Sequence, residues 1–211
     1  MKIAFIGAGR VGAPLAIRLA DAGHQVVLAQ TADGSETVAA ALLRSQRLSA
    51  QPLGAAIQDA EVVFLATPFP VVEALLAPLA DALAGKVLVD CTNPVGPGLS
   101  HGLGSQRSGS ELIQSLVPRA HVVKAFSIYG FENLEDPSYP AYSTKPVMLF
   151  CGDDPSAKQI VRTLISDYGF EPLDVGRLVQ ALHLEHMTLL WVRMVRAEGH
   201  SPHMVWASLR R

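Results

Sequence analysis

The chain has 211 residues and a formal net charge of −2, with 49% hydrophobic and 17% charged residues. This length provides one domain, or one domain with a small appendage, and this composition excludes a disordered chain. The near-neutral charge, without a basic run, argues against nucleic acid and acidic membrane surfaces as partners. No apolar stretch is long enough to span a bilayer, so we expect no membrane partner.

A glycine motif follows the first predicted strand. The apolar run 4–6 leads into G-x-G-x-x-G at 7–12, and a helical stretch follows directly. In this order the motif is a dinucleotide fingerprint, because the N-terminus of a helix attracts a pyrophosphate. Gly7 permits the tight turn, Gly9 lets the backbone approach the phosphates, and Gly12 lets the helix pack on its strand. The alternative is an ordinary strand–turn–helix corner.

Strand-like and helix-like segments then alternate along the chain, which predicts a parallel sheet with helices on both faces. The other predicted strands are 26–29, 62–66, 87–90, 121–126, 146–151 and 172–175. The predicted helices are 13–22, 37–43, 71–83, 109–116, 155–168 and 178–197. Ser108 and Glu111 have capping-box spacing at the start of the fourth helix. The predicted fold class is α/β: Rossmann-like and doubly wound, with a mainly parallel sheet.

We expect residues 1–176 to form an NAD(P)-binding Rossmann-like domain and residues 177–211 a C-terminal helical segment packed on it. The helix 178–197 is apolar nearly all round, and a single core-facing stripe cannot bury that many apolar positions. Burial against a second subunit would cover them, so we predict a homodimer with its contact on this segment. The alternative is a helix wrapped within one chain.

Polar loops follow several of the predicted strands, where chemistry on such sheets takes place. Thr67-Pro68 and Thr92-Asn93-Pro94 pair Thr or Asn with Pro just past a strand. Loops of this kind bracket adenosine and nicotinamide through backbone and amide hydrogen bonds, although Pro and Asn also occur in ordinary turns. Behind a glycine fingerprint, we favour the cofactor interpretation.

The end of the second strand bears on the choice of dinucleotide. The Asp or Glu that binds a free ribose 2′-hydroxyl is absent there, and Gln30-Thr31-Ala32 takes its place. Thr31, Ser35 and Thr37 supply hydroxyls for a 2′-phosphate, and Arg10 is the nearest cation by motif geometry. We therefore favour NADP.

His183 and His186 stand three residues apart on one helical face. They lack a third ligand at a telling distance, so we predict no metal site and consider them pocket-lining or structural. Cys91 and Cys151 are predicted core residues. Because no disulfide framework is indicated, a reducing cytoplasm is the expected location.

Together these segments resemble the coenzyme F420-dependent NADP oxidoreductase family over essentially the whole chain. The matching segments are 2–12, 22–28, 90–94, 122–126 and 183–191. The family is similar in fold to the cytosolic NADPH-binding domain of membrane ferrireductases. The resemblance implies a homodimer that moves hydride between NADP(H) and a deazaflavin held over the nicotinamide.

The resemblance also assigns residues to parts of the cofactor. The pyrophosphate is implied to be held by Gly7, Gly9, Arg10, Val11 and Gly12. By the same resemblance, Thr31 is expected to lie by the 2′-phosphate, and Thr67 and Pro68 by the adenosine side. The nicotinamide is expected to lie by Asn93 and Ala125. Ala8, Ser35, Ala66 and Pro94 complete the predicted cofactor-binding set.

Two positions depart from the family pattern. The family commonly has Ser-Arg where this chain has Thr31-Ala32, and Asn where this chain has Ser127. The second change falls beside the hydride acceptor, so the resemblance leaves the acceptor open between a deazaflavin and a flavin.

Hydride transfer between two cofactors needs little acid–base machinery, so we predict no dedicated general acid. The candidate acceptor-pocket residues are Ser127, Tyr129, His183 and His186. A small NADPH-dependent carbonyl or imine reductase is an alternative, in which Tyr129 or His183 would donate a proton. A second alternative is a non-catalytic NADP(H)-sensing module that docks a partner through 133–144.

Overall fold

The computed structural model describes residues 1–30, 35–209 and 211. Eight strands form one sheet in the order β3-β2-β1-β4-β5-β8-β9-β10, and β6 and β7 form a separate two-stranded ladder. The strands are β1 Lys2–Ile6, β2 Gln25–Gln30, β3 Leu48–Pro52, β4 Val62–Leu65, β5 Val87–Asp90, β6 Val95–Gly96, β7 Ser100–His101, β8 His121–Lys124, β9 Val147–Gly152 and β10 Glu171–Asp174.

Only the β8–β9 pairing in this sheet is antiparallel, so the mainly parallel, doubly wound α/β fold predicted from the sequence is confirmed. The six strands from β3 to β8 run parallel in the order of the dinucleotide-binding Rossmann fold. Their carboxyl ends therefore share one edge of the sheet.

Helices cover both faces of the sheet. They are α1 Gly12–Asp21, α2 Glu36–Arg44, α3 Leu53–Asp59, α4 Val72–Leu76, α5 Gly109–Leu116, α6 Glu132–Glu135, α7 Pro155–Tyr168 and α8 Ala181–Arg196. Side chains alternate along a strand, so Ile3 and Phe5 of β1 join one apolar core while Ala4 and Ile6 join the other. None of the described helices has the length and apolar character needed to cross a membrane.

Hydrogen bonds and backbone conformation at the helix termini explain where α5 and α7 begin and where α7 ends. The Ser108 hydroxyl accepts from the Glu111 N–H while the Glu111 carboxylate accepts from the Ser108 N–H, which confirms the predicted capping box of α5. Helix α7 starts after Asp154, which accepts from the Ala157 N–H at 2.7 Å. It ends at Gly169, which has a left-handed φ of +117°.

Several elements differ from the prediction: β6, β7 and α6 are absent from the predicted elements, and the predicted strand 121–126 ends at Lys124. The two largest differences lie at 48–59 and 71–83. Strand β3 and helix α3 are absent from the predicted elements, because Leu48–Pro52 is a mixed, partly exposed edge segment without an apolar run. The predicted helix 71–83 is also too long. Its α-helical part covers only Val72–Leu76, and a 3₁₀ turn, Ala77–Leu79, follows at Pro78.

Candidate active site

The first strand ends in a tight glycine turn near the middle of the sheet. A Cβ on Gly7, whose φ is +101°, would lie 2.5 Å from the Ala66 carbonyl oxygen, and one on Gly12 would lie 1.9 Å from the Gly7 oxygen. A Cβ on Gly9 would meet no atom of the described residues within 4 Å. Packing within the protein thus requires Gly7 and Gly12, whereas the open space at Gly9 leaves room for a ligand against the backbone.

Three polar atoms at the carboxyl ends of neighbouring strands are buried without a hydrogen-bond partner. They are Thr67 Oγ1 after β4, Asn93 Oδ1 after β5 and Ser127 Oγ after β8, and none bonds to any described part of the chain. Buried polar atoms in native proteins are nearly always satisfied, so this row indicates that a polar ligand completes the site. These residues fit a nicotinamide dinucleotide, whose hydroxyl and carboxamide groups supply donors and acceptors.

A buried charge cluster lies beside the same row. The Lys124 ammonium is 3.0 Å from the Asp90 carboxylate and 3.2 Å from the Glu185 carboxylate, and all three side chains are at most 1% exposed. Burial alone would lower the pKa of Lys124, but the two carboxylates outweigh it and raise that pKa. Lys124 is therefore a cation at neutral pH.

This charge cluster fixes the loop after β5. Asp90 accepts from the Thr92 N–H at 2.8 Å and from the Thr92 hydroxyl at 2.7 Å. Lys124 donates to the Thr92 carbonyl oxygen. The N–H, hydroxyl and carbonyl groups of Thr92 are thus all held by buried charged side chains. The next residue along this fixed loop is Asn93.

Glu185 of α8 ties the helix to the loop between β5 and α5. Its carboxylate accepts from the Gly109 N–H at 2.9 Å and lies 2.8 Å from His101 Nε2. His101 Nδ1 accepts from the N–H groups of Leu103 and Ser105, both at 3.2 Å, which places the His101 proton on Nε2. The histidine therefore donates to Glu185 and holds the loop against α8.

Most of the predicted cofactor residues are at this edge of the sheet. Those that belong to the glycine turn or follow a central strand are Gly7, Ala8, Gly9, Val11, Gly12, Ala66, Thr67, Pro68, Asn93, Pro94 and Ala125. Arg10 is exposed, and its guanidinium lies 5.1 Å above the Phe131 ring. Ser35 precedes α2, where its hydroxyl lies 3.3 Å from Thr37 Oγ1. Thr31 lies outside the described residues.

The four candidate acceptor residues occupy different surroundings. Ser127 is in the row of unpartnered polar atoms. The Tyr129 hydroxyl donates to the Val147 carbonyl at 2.6 Å and accepts from the Trp206 N–H at 3.1 Å, and burial raises its pKa. Because this hydroxyl is committed to the backbone, we do not propose Tyr129 as a proton donor. His183 and His186 are exposed on α8, and His186 stacks on the buried His101 at 5.4 Å.

The two cysteines belong to the apolar core. Both are buried and form no disulfide, as the sequence predicts. Burial raises the pKa of Cys151 to about 12 and also raises that of Cys91, so neither thiol ionises near neutral pH. No group of three or more metal-binding side chains occurs within the part of the chain that the structure describes.

Sequence reasoning missed the residues that support the site from α8, β5 and β7. Asp90, Glu185, His101 and Thr188 are all buried, yet none was among the candidates. A usable signal was present for Asp90 and Lys124, since each is a charge that ends a short apolar strand. Phe126 lies two residues after the end of β8 and has a φ of +55°, a strained conformation for a non-glycine residue.

Comparisons with known proteins agree with this geometry. Residues 2–94 match the family model described as NADP oxidoreductase, coenzyme F420-dependent. A solved structure from Arthrobacter sp. FB24, provisionally described as an F420-dependent NADP reductase, is 30% identical with a TM-score of 0.80, over 94% of this chain and 95% of that one.

Two curated relatives are longer than the region they share with this chain. Metalloreductase STEAP3 of Rattus norvegicus is 32% identical over 193 residues, which are 89% of this chain and 36% of that protein. The F420-dependent NADP reductase of Methanothermobacter marburgensis is 38% identical over 103 residues, which are 45% of this chain and 46% of that protein. The chain thus spans between a third and a half of the curated relatives it matches.

The strand order and the glycine turn define the class of the protein, a Rossmann-type dinucleotide-binding fold. Within this class the family is shown by the near-complete match to the Arthrobacter protein. The chain belongs to the coenzyme F420-dependent NADP oxidoreductase family.

Proposed function

We propose that the chain binds NADP(H) along the carboxyl edge of the sheet and transfers hydride between NADP(H) and a deazaflavin or flavin acceptor. The observation that carries this proposal is the row of unpartnered buried atoms, Thr67 Oγ1, Asn93 Oδ1 and Ser127 Oγ, beside an open glycine turn. Family membership supports NADP as the dinucleotide.

Each part of the carboxyl edge of the sheet has a defined task in this proposal. The backbone at Gly9 and the N-terminus of α1, where the N-cap Val11 makes no side-chain hydrogen bond, receive the pyrophosphate. Asn93 and Ser127 orient the nicotinamide half, and the buried surroundings of β5 and β8 exclude water from it. When bound, the dinucleotide supplies the hydride, so the protein needs no general acid of its own.

The test is NADPH oxidation followed by absorbance, with oxidised coenzyme F420 and FMN offered in parallel. We expect turnover with the deazaflavin or the flavin, and loss of NADPH binding in Gly9→Asp because a carboxylate would occupy the pyrophosphate site. Gly54→Asp is the matched control, since Gly54 is exposed on α3, outside the turn, and also has open space at its Cβ.

The outcomes separate the competing functions. Unchanged NADPH affinity in Gly9→Asp would refute the proposed pyrophosphate site at the glycine turn. NADPH binding without turnover on either acceptor would favour the NADP(H)-sensing module, and turnover only with a carbonyl or imine would favour that reductase class.

We also propose that residues 177–211 form the contact of a homodimer. Support comes from Val179 and Leu190, which are 58% and 51% exposed although they belong to an apolar helical segment. A cytoplasmic location is proposed from the two buried thiols that form no disulfide.

A further inference from the structure

The hydroxyl of Thr188 on helix α8 contacts the segment that follows β8 at the carboxyl edge of the sheet. Thr188, which is 4% exposed, has its Oγ1 2.9 Å from the Ser127 carbonyl oxygen and 3.0 Å from the Leu184 carbonyl oxygen. The Ser127 carbonyl also accepts from Asn93 Nδ2 at 3.1 Å. A single carbonyl thus joins the helix to the side chain of Asn93.

These contacts fix which end of the Asn93 amide faces a ligand. Nδ2 is committed to the Ser127 carbonyl, so the atom left without a partner among the described residues is Oδ1. Turning the amide over would place Oδ1 against the Ser127 carbonyl oxygen, so that two hydrogen-bond acceptors would face each other. Asn93 therefore presents the acceptor Oδ1 to a ligand.

We infer that Thr188 is a positioning residue for the nicotinamide subsite: through the Ser127 carbonyl it holds the Asn93 amide so that Oδ1 accepts a hydrogen bond from a primary carboxamide. This inference rests on the proposed binding of NADP(H). A carboxamide NH₂ satisfies Oδ1, whereas a carboxylate at the same place would set two acceptors against each other. The subsite thus selects nicotinamide over nicotinic acid.

The experiment measures affinities by calorimetry for three probes that share the adenosine 2′-phosphate. They are NADP, its nicotinic acid analogue, and 2′-phospho-ADP-ribose, which lacks the nicotinamide ring. Thr188→Val removes the hydroxyl at nearly constant volume, and Thr188→Ser keeps it. Urea unfolding of each variant establishes that it is folded.

We expect Thr188→Val to weaken NADP roughly three- to tenfold, the range of one neutral hydrogen bond, and to leave 2′-phospho-ADP-ribose unchanged. Thr188→Ser should bind NADP like the parent protein. Asn93→Ala should lose the preference for NADP over the nicotinic acid analogue. Adding Thr188→Val to Asn93→Ala should then weaken NADP no further, because the two side chains act through one carbonyl.

Other results would overturn the inference. An equal loss for NADP and 2′-phospho-ADP-ribose, or an undiminished effect of Thr188→Val in the Asn93→Ala background, would show a purely structural role. If the parent protein binds none of the three probes, the proposed function itself fails. If it binds all three with equal affinity, only the subsite assignment fails.

Discussion

Replacing Lys124 by methionine tests whether the buried charge cluster stabilises the carboxyl edge of the sheet. The ammonium is fully buried, 3.0 Å from Asp90 and 3.2 Å from Glu185. At an effective dielectric constant of about 20, each pair attracts by roughly 5 kcal/mol before desolvation is counted. Removing one partner of a buried ion pair costs about 3–5 kcal/mol, because an uncompensated charge stays behind, and we expect a loss of that size.

Urea unfolding at neutral pH measures the loss directly. For a domain of this length the expected change corresponds to a fall in Tm of roughly 6–20 °C. Lys158→Met is the matched control: Lys158 lies 3.1 Å from Asp174, but its side chain is 20% exposed, so a loss below about 1 kcal/mol is expected. A loss of that small size in Lys124→Met would refute the assigned role of the cluster.

The same variant has a defined pH dependence. The folded-state pKa of Lys124 is raised above its ordinary value of 10.5, the net result of burial opposed by Asp90 and Glu185. A raised pKa contributes stability that is fully present below 10.5 and is lost as the pH rises through the folded value. The stability difference between the parent protein and Lys124→Met should therefore shrink above that pH, and a constant difference would contradict the argument.

Two further predictions concern the turn and the last helix. Gly12→Ala should prevent folding, because its Cβ would lie 1.9 Å from the Gly7 oxygen, whereas Gly9→Ala should keep its melting temperature and weaken NADP(H) binding. Equal melting temperatures for the two variants would contradict this assignment. Leu190→Glu should convert the proposed homodimer to a monomer in light scattering, while Leu43→Glu, at a position 91% exposed on α2, should not. A monomeric parent protein would refute the dimer.

The parts of the fold that could be predicted depend on neighbours in the sequence. The helix 155–168 is predicted with its observed bounds, since Pro155 starts it and Gly169 ends it through local backbone chemistry. Strand β5 is also predicted residue for residue, because Val87–Asp90 is an apolar run between turn signals. Strand β3 could not be predicted in this way, because its structure comes from pairing with β2 and not from its own composition.

The candidate active site shows the same difference between features that depend on neighbours in the sequence and features that depend on long-range contacts. The glycine turn is readable from spacing alone, and the loops around Thr67 and Asn93 follow from their places after apolar strands. The contact between Thr188 and Ser127 spans 61 residues, and that between Glu185 and Gly109 spans 76. No periodicity in the sequence brings such residues together.

One long-range contact could nevertheless have been derived. Asp90 and Lys124 each end a short apolar strand, and a charge in that place is costly unless it is paired. The glycine fingerprint implies the Rossmann strand order, which sets β5 beside β8 in parallel register and so aligns Asp90 with Lys124. Glu185 lies within an apolar helix whose rotation no sequence pattern determines, so its partners could be found only in the structure. A charge that interrupts an apolar strand can therefore be assigned a partner from topology, whereas one that interrupts an apolar helix cannot.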